Sequence, residues 1–175
     1  MATKETTKEE RKSQRPLRNK PEIREEYTTD ALELLEQDHR EVEEMFDEYD
    51  ELPDGDRRRG ELAQKICRAL EVHAQIEEDI FYPRAREATK DDDLIDEAIV
   101  EHQSVKHLIG EIRSMKSGDE LYDARIRVLE EMVKRHIQEE EEELFPELVS
   151  AGMDIKETGS QLAQRKQELM AKTEA

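Results

Sequence analysis

Apolar residues recur along most of this chain at spacings of three and four, with charged residues between them. The first stripe runs Leu32, Leu35, His39, Val42, Phe46 and Tyr49, the pattern of an amphipathic helix. Thr28, Thr29 and Asp30 precede it as N-cap candidates, so the helix is expected to start near Ala31. It stops at the turn signal Leu52-Pro53-Asp54-Gly55. A second stripe of Leu62, Ile66, Ala69, Leu70, His73, Ile76, Glu77 and Ile80 predicts a helix from about Asp56 to Tyr82, which Pro83 ends or begins to lead out. A third helix, about Asp92 to Lys116, carries Ile95, Ala98, Ile99, His102, Val105, Ile109 and Ile112, and Ser117-Gly118-Asp119 turns the chain. The fourth, about Glu120 to Leu148, faces inward through Leu129, Met132, Val133, His136, Glu140 and Leu144, until Gly152. A weaker stripe of Ile155, Leu162 and Leu169 predicts a short C-terminal helix over about Asp154 to Ala171. Nothing alternates like a strand. The pattern predicts an all-α protein: an up-down-up-down four-helix bundle over residues 30–150 and a helical extension over 151–175.

Residues 1–29 break the pattern. Apolar positions are sparse, Pro16 and Pro21 interrupt any helix, and eight Lys or Arg face six Glu. This stretch reads as a flexible, charged N-terminal arm, a solvated tail that also offers a contact to a protein partner. The whole chain is 43% charged and 34% hydrophobic with a formal net charge of −19. Those values drift toward disorder, but the sustained helical periodicity decides for a folded core. The acid excess argues against binding nucleic acid, which needs clustered Lys and Arg, and against an anionic membrane. No apolar run approaches the roughly 20 residues of a membrane span, and no secretory stretch opens the chain, so a cytoplasmic location is expected. The lone Cys67 excludes an internal disulfide and fits a reducing compartment. Its place between Ile66 and Leu70 reads as a buried, inert thiol.

The stripes also contain residues that do not belong in an apolar core. His73-x-x-x-Glu77 is followed by Pro83, and His136-x-x-x-Glu140 by Pro146. Residues four apart share a helix face, so each pair aims an imidazole and a carboxylate at one spot. A solitary His lies 34 residues upstream of each pair, His39 before His73 and His102 before His136. The chain is therefore two similar helical hairpins, and their pairing places four His near a pseudo-two-fold axis. Burying Glu77 and Glu140 among Leu and Ile would cost several kcal/mol each without compensation. Metal cations remove that penalty. His39, His73, Glu77, His102, His136 and Glu140 thus form a candidate ligand set for a pair of metal ions. Mixed imidazole and carboxylate donors suit Fe, Mn or Zn, with coordination positions left for water or a small diatomic ligand. A ferritin-like site would use two Glu-x-x-His pairs; only Glu36-x-x-His39 has that spacing.

Nearby polar residues read more plainly. His107 lies about 140° from the stripe of His102 and should be a surface residue. Glu43 stands four after His39 as an optional further ligand, whereas Lys106 occupies the matching place in the second half. In the run Glu139 to Glu143 only Glu140 has the inward phase, and its neighbours read as a solvated face that attracts cations. Tyr27, Tyr49, Tyr82 and Tyr122 read as core or rim packing, with hydrogen bonding to the site as the alternative.

This constellation resembles the hemerythrin-like, or HHE cation-binding, proteins. The shared features are a His on the first helix, H-x3-E with Phe-x-Pro on the second, a His on the third, and H-x3-E with Phe-Pro on the fourth. The resemblance covers about Asp30 to Leu148. It implies a four-helix bundle around a non-haem di-iron centre: two iron ions with an oxo or hydroxo bridge, Glu77 and Glu140 spanning them, and the four His completing the set. Oxygen-carrying members have H-x3-H on the third helix and H-x4-D on the fourth; here Lys106 and Glu140 stand instead. The resemblance therefore implies a centre that reacts with O2, peroxide or NO, in stress defence, more than one that carries O2 reversibly. The four-His, two-Glu set is similar to the iron–sulfur-repair and nitric-oxide-responsive branch, whose N-terminal Cys-containing domain is absent here. The alternatives are an iron- or oxygen-responsive regulator that meets a protein partner through the arm or the extension, and an iron donor for cluster repair.

Overall fold

Asp30 starts the first helix: its Oδ1 accepts from the backbone N–H of Leu32 and Glu33, both at 3.0 Å, satisfying two donors the first turn leaves open. The structure, a computed structural model, describes residues 30–89 and 92–172; the expected N-terminal arm and Tyr27 lie outside the described residues. Helix α1 spans Ala31–Glu51 and α2 spans Arg57–Ile76, joined by a turn in which Gly55 takes φ +79°, a conformation that favours glycine. A π-helical turn, π1 (Glu77–Phe81), carries α2 into α3 (Tyr82–Ala88). Helix α4 covers Asp93–Arg113 and α5 covers Tyr122–Glu139. A second π turn, π2 (Glu140–Leu144), leads into α6 (Phe145–Ser150), and α7 (Ile155–Ala171) ends the described chain. Among the described residues every regular element is helical, and none is long and apolar enough to cross a membrane.

The two hairpins, α1 with α2 and α4 with α5, pack into the expected up-down-up-down bundle, and α7 lies across α1 and α2. Two apolar clusters fill it. One holds Phe46, Tyr49, Ile66, Leu70, Ile109, Ile126 and Leu129. The other holds Leu35, Ile76, Phe81, Ile95, Leu144, Phe145 and Leu162. Along each of the four rods the site His falls between residues of the first cluster and residues of the second. The bundle is thus a polar layer held between two apolar ones. Cys67 is fully buried and burial pushes its thiol up to about 11, as an inert thiol requires.

One expectation fails at Pro83. The second helix does not end there; it continues to Ala88. A proline inside an α-helix collides with the carbonyl four residues back and lacks the N–H to bond it. The π turn relieves this by widening the coil: the Tyr82 N–H reaches back to the Glu77 carbonyl, and the Phe145 N–H to the Glu140 carbonyl. The extra residue also shifts the inward face by one position. Ile80, expected inside, is only partly covered, whereas Phe81, Tyr82 and Ala85 are buried. Leu144, Phe145 and Leu148 repeat that pattern after Glu140.

Candidate metal centre

The polar layer is made by α1, α2 with π1, α4, and α5 with π2, each rod contributing its His and the two π turns beginning at the two Glu. All six candidate residues converge there, and all six are buried, Glu77 completely. His39 and His73 oppose each other with Nε2 atoms 3.2 Å apart, and His102 and His136 do the same at 3.1 Å. The carboxylates tie the halves together. Glu77 lies 3.2 Å from His73 Nε2 through Oε1 and 3.2 Å from His102 Nε2 through Oε2. Glu140 Oε2 lies 3.4 Å from His39 Nε2 and 3.5 Å from His136 Nε2. Two groups able to hold a cation result, His39–His73–Glu77–Glu140 and Glu77–His102–His136, sharing Glu77.

Each imidazole is oriented from behind. His39 Nδ1 is 2.8 Å from Glu141, His73 Nδ1 3.3 Å from Asp38, His102 Nδ1 3.0 Å from Glu78 and His136 Nδ1 2.9 Å from Glu101. An ionised carboxylate only accepts, so Nδ1 carries the proton and Nε2 of the neutral ring presents a bare lone pair inward. Histidines that bind metals are held this way by an outer acceptor. Every outer carboxylate is itself paired: Glu141 with Arg40 at 2.5 Å, Glu78 with Lys106 at 2.7 Å, Glu101 with Arg135 at 2.5 Å, and Asp38 with Lys166.

The fit to a cation follows from what this arrangement lacks. Two bare imidazole lone pairs facing each other at hydrogen-bond distance repel. Both oxygens of Glu77 and Oε2 of Glu140 are buried without a hydrogen-bond donor, which would cost several kcal/mol each if nothing compensated. Cations between the nitrogens and the oxygens answer both problems. Without metal, protons are the available cations. Burial alone would lower the His73 pKa, but the Glu77 charge and the Asp38 hydrogen bond raise it to about 10. His102 is likewise pulled down by burial and raised, through Glu77 and Glu78, to about 9. Burial would raise Glu77, yet the His73 charge holds it well below the usual carboxylate range. The hydrogen bond from His136 brings Glu101 down to about 2.

Tyr82 breaks the two-fold symmetry. Its hydroxyl donates to Glu140 Oε1 at 2.8 Å and lies 3.3 Å from His102 Nε2. The matching position in the other half, five residues after the Glu, is Phe145, stacked on His39 at 6.1 Å between centroids. Tyr82 therefore hydrogen-bonds the site, where packing was expected. Tyr49 instead donates to Asp123 at 2.5 Å, and Tyr122 is buried in the first apolar cluster.

Glu43 pairs with Arg40 at 3.1 Å and stays out of the site, and His107 is exposed. Glu141, expected on a solvated face, is a correction: it is half-buried and receives the His39 hydrogen bond. Sequence reasoning also missed Asp38, Glu78 and Glu101. Their signal was repeat symmetry, an acid immediately before each solitary His and immediately after each motif Glu. Lys106, four residues after His102, turns outward to Glu78.

Comparison with known proteins agrees with this picture. The family model described as Hemerythrin HHE cation binding domain matches residues 30–148. A crystal structure of a Hemerythrin HHE cation binding domain-containing protein from Mycobacterium kansasii superposes with a TM-score of 0.71. It is 24% identical and the match covers 82% of this chain and 89% of that one, a likeness of fold. A curated relative, a DNA nickase of Nostoc sp. (strain PCC 7120 / SAG 25.82 / UTEX 2576), is 28% identical over 113 residues. That match takes in 65% of this chain and 32% of the relative, so the chain spans about a third of the nickase's length.

Proposed function

We propose that this chain, which belongs to the hemerythrin HHE cation-binding family, is a non-haem di-iron protein that binds or reacts with a small oxidant: O2, peroxide or NO. The observation that carries the reading is the pair of opposed Nε2 atoms, at 3.2 and 3.1 Å, beside buried carboxylate oxygens with no donor. His39 and His73 would hold one ion, His102 and His136 the other, with Glu77 and Glu140 between them. Iron so held supplies redox exchange and Lewis acidity toward a small oxidant. The chain's own residues do the rest. Asp38, Glu78, Glu101 and Glu141 fix the imidazole tautomers, Tyr82 keeps a proton on the hydroxyl that faces Glu140, and the apolar clusters on either side restrict water. A role in stress defence is part of the proposal. The nickase name is not carried over, because the shared region is a third of that protein and a net charge of −19 repels phosphate.

The test is metal analysis with an absorption spectrum of the isolated protein, then exposure to O2, hydrogen peroxide and NO. Two irons per chain and a spectral change with at least one oxidant are expected. One zinc per chain, or a loaded protein inert to all three, overturns the reading. A second reading has one specific support: Lys166 of α7 pairs with Asp38, which in turn receives His73. Metal occupancy at His73 is thereby linked to the C-terminal helix, as a metal-responsive interaction protein requires. Equal amide-exchange protection of α7 with and without metal would refute it.

A further inference from the structure

Next to the polar layer the bundle encloses a cavity of about 430 Å³. His39, His73, His102 and His136 all line it. A diatomic molecule or peroxide is only somewhat larger than a water, which occupies ~30 Å³ in the liquid, so the space exceeds the need of a small oxidant several-fold. It falls instead in the range of pockets that hold organic ligands. Its wall is apolar, formed by Val42, Leu70, Val105, Val133 and Ile137. Space of this size leaves wall atoms without dispersion partners, which a chain filling it would supply.

The way out runs between α1, α2 and α7, where the lining residues become exposed: the charged Glu41 and Lys65, and Met170. Cations outnumber acids at this edge even though the chain carries a net charge of −19. Lys166 is engaged by Asp38, Arg68 donates to the Leu169 carbonyl at 2.8 Å, and Glu41 accepts from Gln37 at 3.2 Å. Lys65 is exposed and lines this edge.

We propose that this cavity binds a linear amphipathic carboxylate, its hydrocarbon tail lying along the apolar wall toward the histidines and its head group held at the rim by Lys65 and Arg68. The proposal deepens the oxidant reading by placing an organic molecule beside the same centre, and it rests on that reading only for the centre's identity. Binding itself depends on the cavity, so it is measured separately from metal and oxidant chemistry.

The experiment titrates dodecanoate, and dodecanol as the neutral counterpart, into the full chain by calorimetry, in metal-loaded and metal-free forms. Saturable binding of about one dodecanoate per chain, tighter than dodecanol by about fivefold, is expected. Lys65→Glu, a surface change, should abolish that preference while dodecanol binding persists. Ala69→Trp, which fills the cavity from its partly covered edge, should remove both ligands without changing the metal content or helical signal. Absence of saturable dodecanoate binding to folded protein overturns the proposal. So does equal affinity for acid and alcohol, or a preference untouched by Lys65→Glu. A protein that binds dodecanoate but ignores O2, peroxide and NO would sink the oxidant reading and leave this one standing.

Discussion

Glu141 lies in a run of five acids, Glu139 to Glu143, and the structure separates it from its neighbours. Its Oε1 is 2.8 Å from His39 Nδ1 and 2.5 Å from Arg40, whereas Glu142 and Glu143 are exposed. If it orients and polarises His39, Glu141→Ala should weaken metal binding by the 10–100-fold typical of such outer partners. That corresponds to about 1.4–2.7 kcal/mol, or roughly 3–11 °C in the Tm of the metal-loaded protein. Glu141→Gln retains an oxygen acceptor but loses the charge, and should fall between alanine and the parent. Glu142→Ala, a change one residue away on the exposed side, should do nothing measurable. The assay is competition with a chelator of known affinity, followed by elemental analysis and by thermal melts with and without metal. Two results would refute the reasoning: a Glu141→Ala protein that holds metal like the parent, or a Glu142→Ala protein that loses it equally. The first would mean that His39 is oriented by packing on Phe145 alone. The second would mean that only the summed charge of the run matters.

Glu77 is shared by both ligand groups, so Glu77→Ala should deplete both ions, whereas His136→Ala should chiefly deplete one; metal per chain by elemental analysis separates the two. Tyr82→Phe removes the donor to Glu140 Oε1 and should cost about 1–3 kcal/mol by denaturant unfolding, with a shifted absorption band in the loaded protein. In the metal-free protein the folded pKa values of His73 and His102 are raised to about 10 and about 9. Their contribution to stability is full below the unfolded value near 6.5 and is lost as pH rises through 9 to 10. Melts of the metal-free protein should fall over that window. Loading should instead release protons near pH 7, read as a buffer-dependent calorimetric heat; a metal-free Tm that is flat from pH 7 to 10 would contradict the assignment.

The four rods and the six inward residues were legible because both rest on one periodicity. A stripe that contains His39, His73, His102 and His136 in phase with Leu and Ile shows the helix, its buried face and the misplaced polar groups at once. Boundaries were legible where a side chain makes them, as Asp30 does for α1. The π turns were not, because a five-residue coil has no propensity of its own. It forms where Pro83 or Pro146 forbids the α geometry and where apolar residues four, five and eight after the Glu can be buried: Phe81, Tyr82 and Ala85, or Leu144, Phe145 and Leu148. The outer carboxylates stayed hidden for another reason. In a chain that is 43% charged, one acid beside a His or a Glu is ordinary; its repetition in both halves is the one mark it carries, and tertiary packing decides its partner, bringing Glu101 of α4 to His136 of α5.

That packing bears on why so acidic a chain folds around a buried polar layer at all. Polar groups alternate outward from the centre: the inner Glu pair, the imidazoles that face it, the outer acids that accept from Nδ1, then the cations Arg40, Lys106, Arg135 and Lys166. Each shell is compensated by the next, so no carboxylate faces hydrocarbon without a partner except where Glu77 and Glu140 turn their free oxygens to the middle. The uncompensated charge is thus gathered at one spot, between two apolar clusters that keep it from relaxing into water. A centre arranged in this way holds its negative potential most strongly when empty, and a divalent cation is the group that relieves it best. It follows that stripping the metal should loosen the layer first and the apolar clusters last. Amide exchange in the metal-free protein should therefore rise around Glu77 and Glu140 before it rises at Ile66 or Leu129.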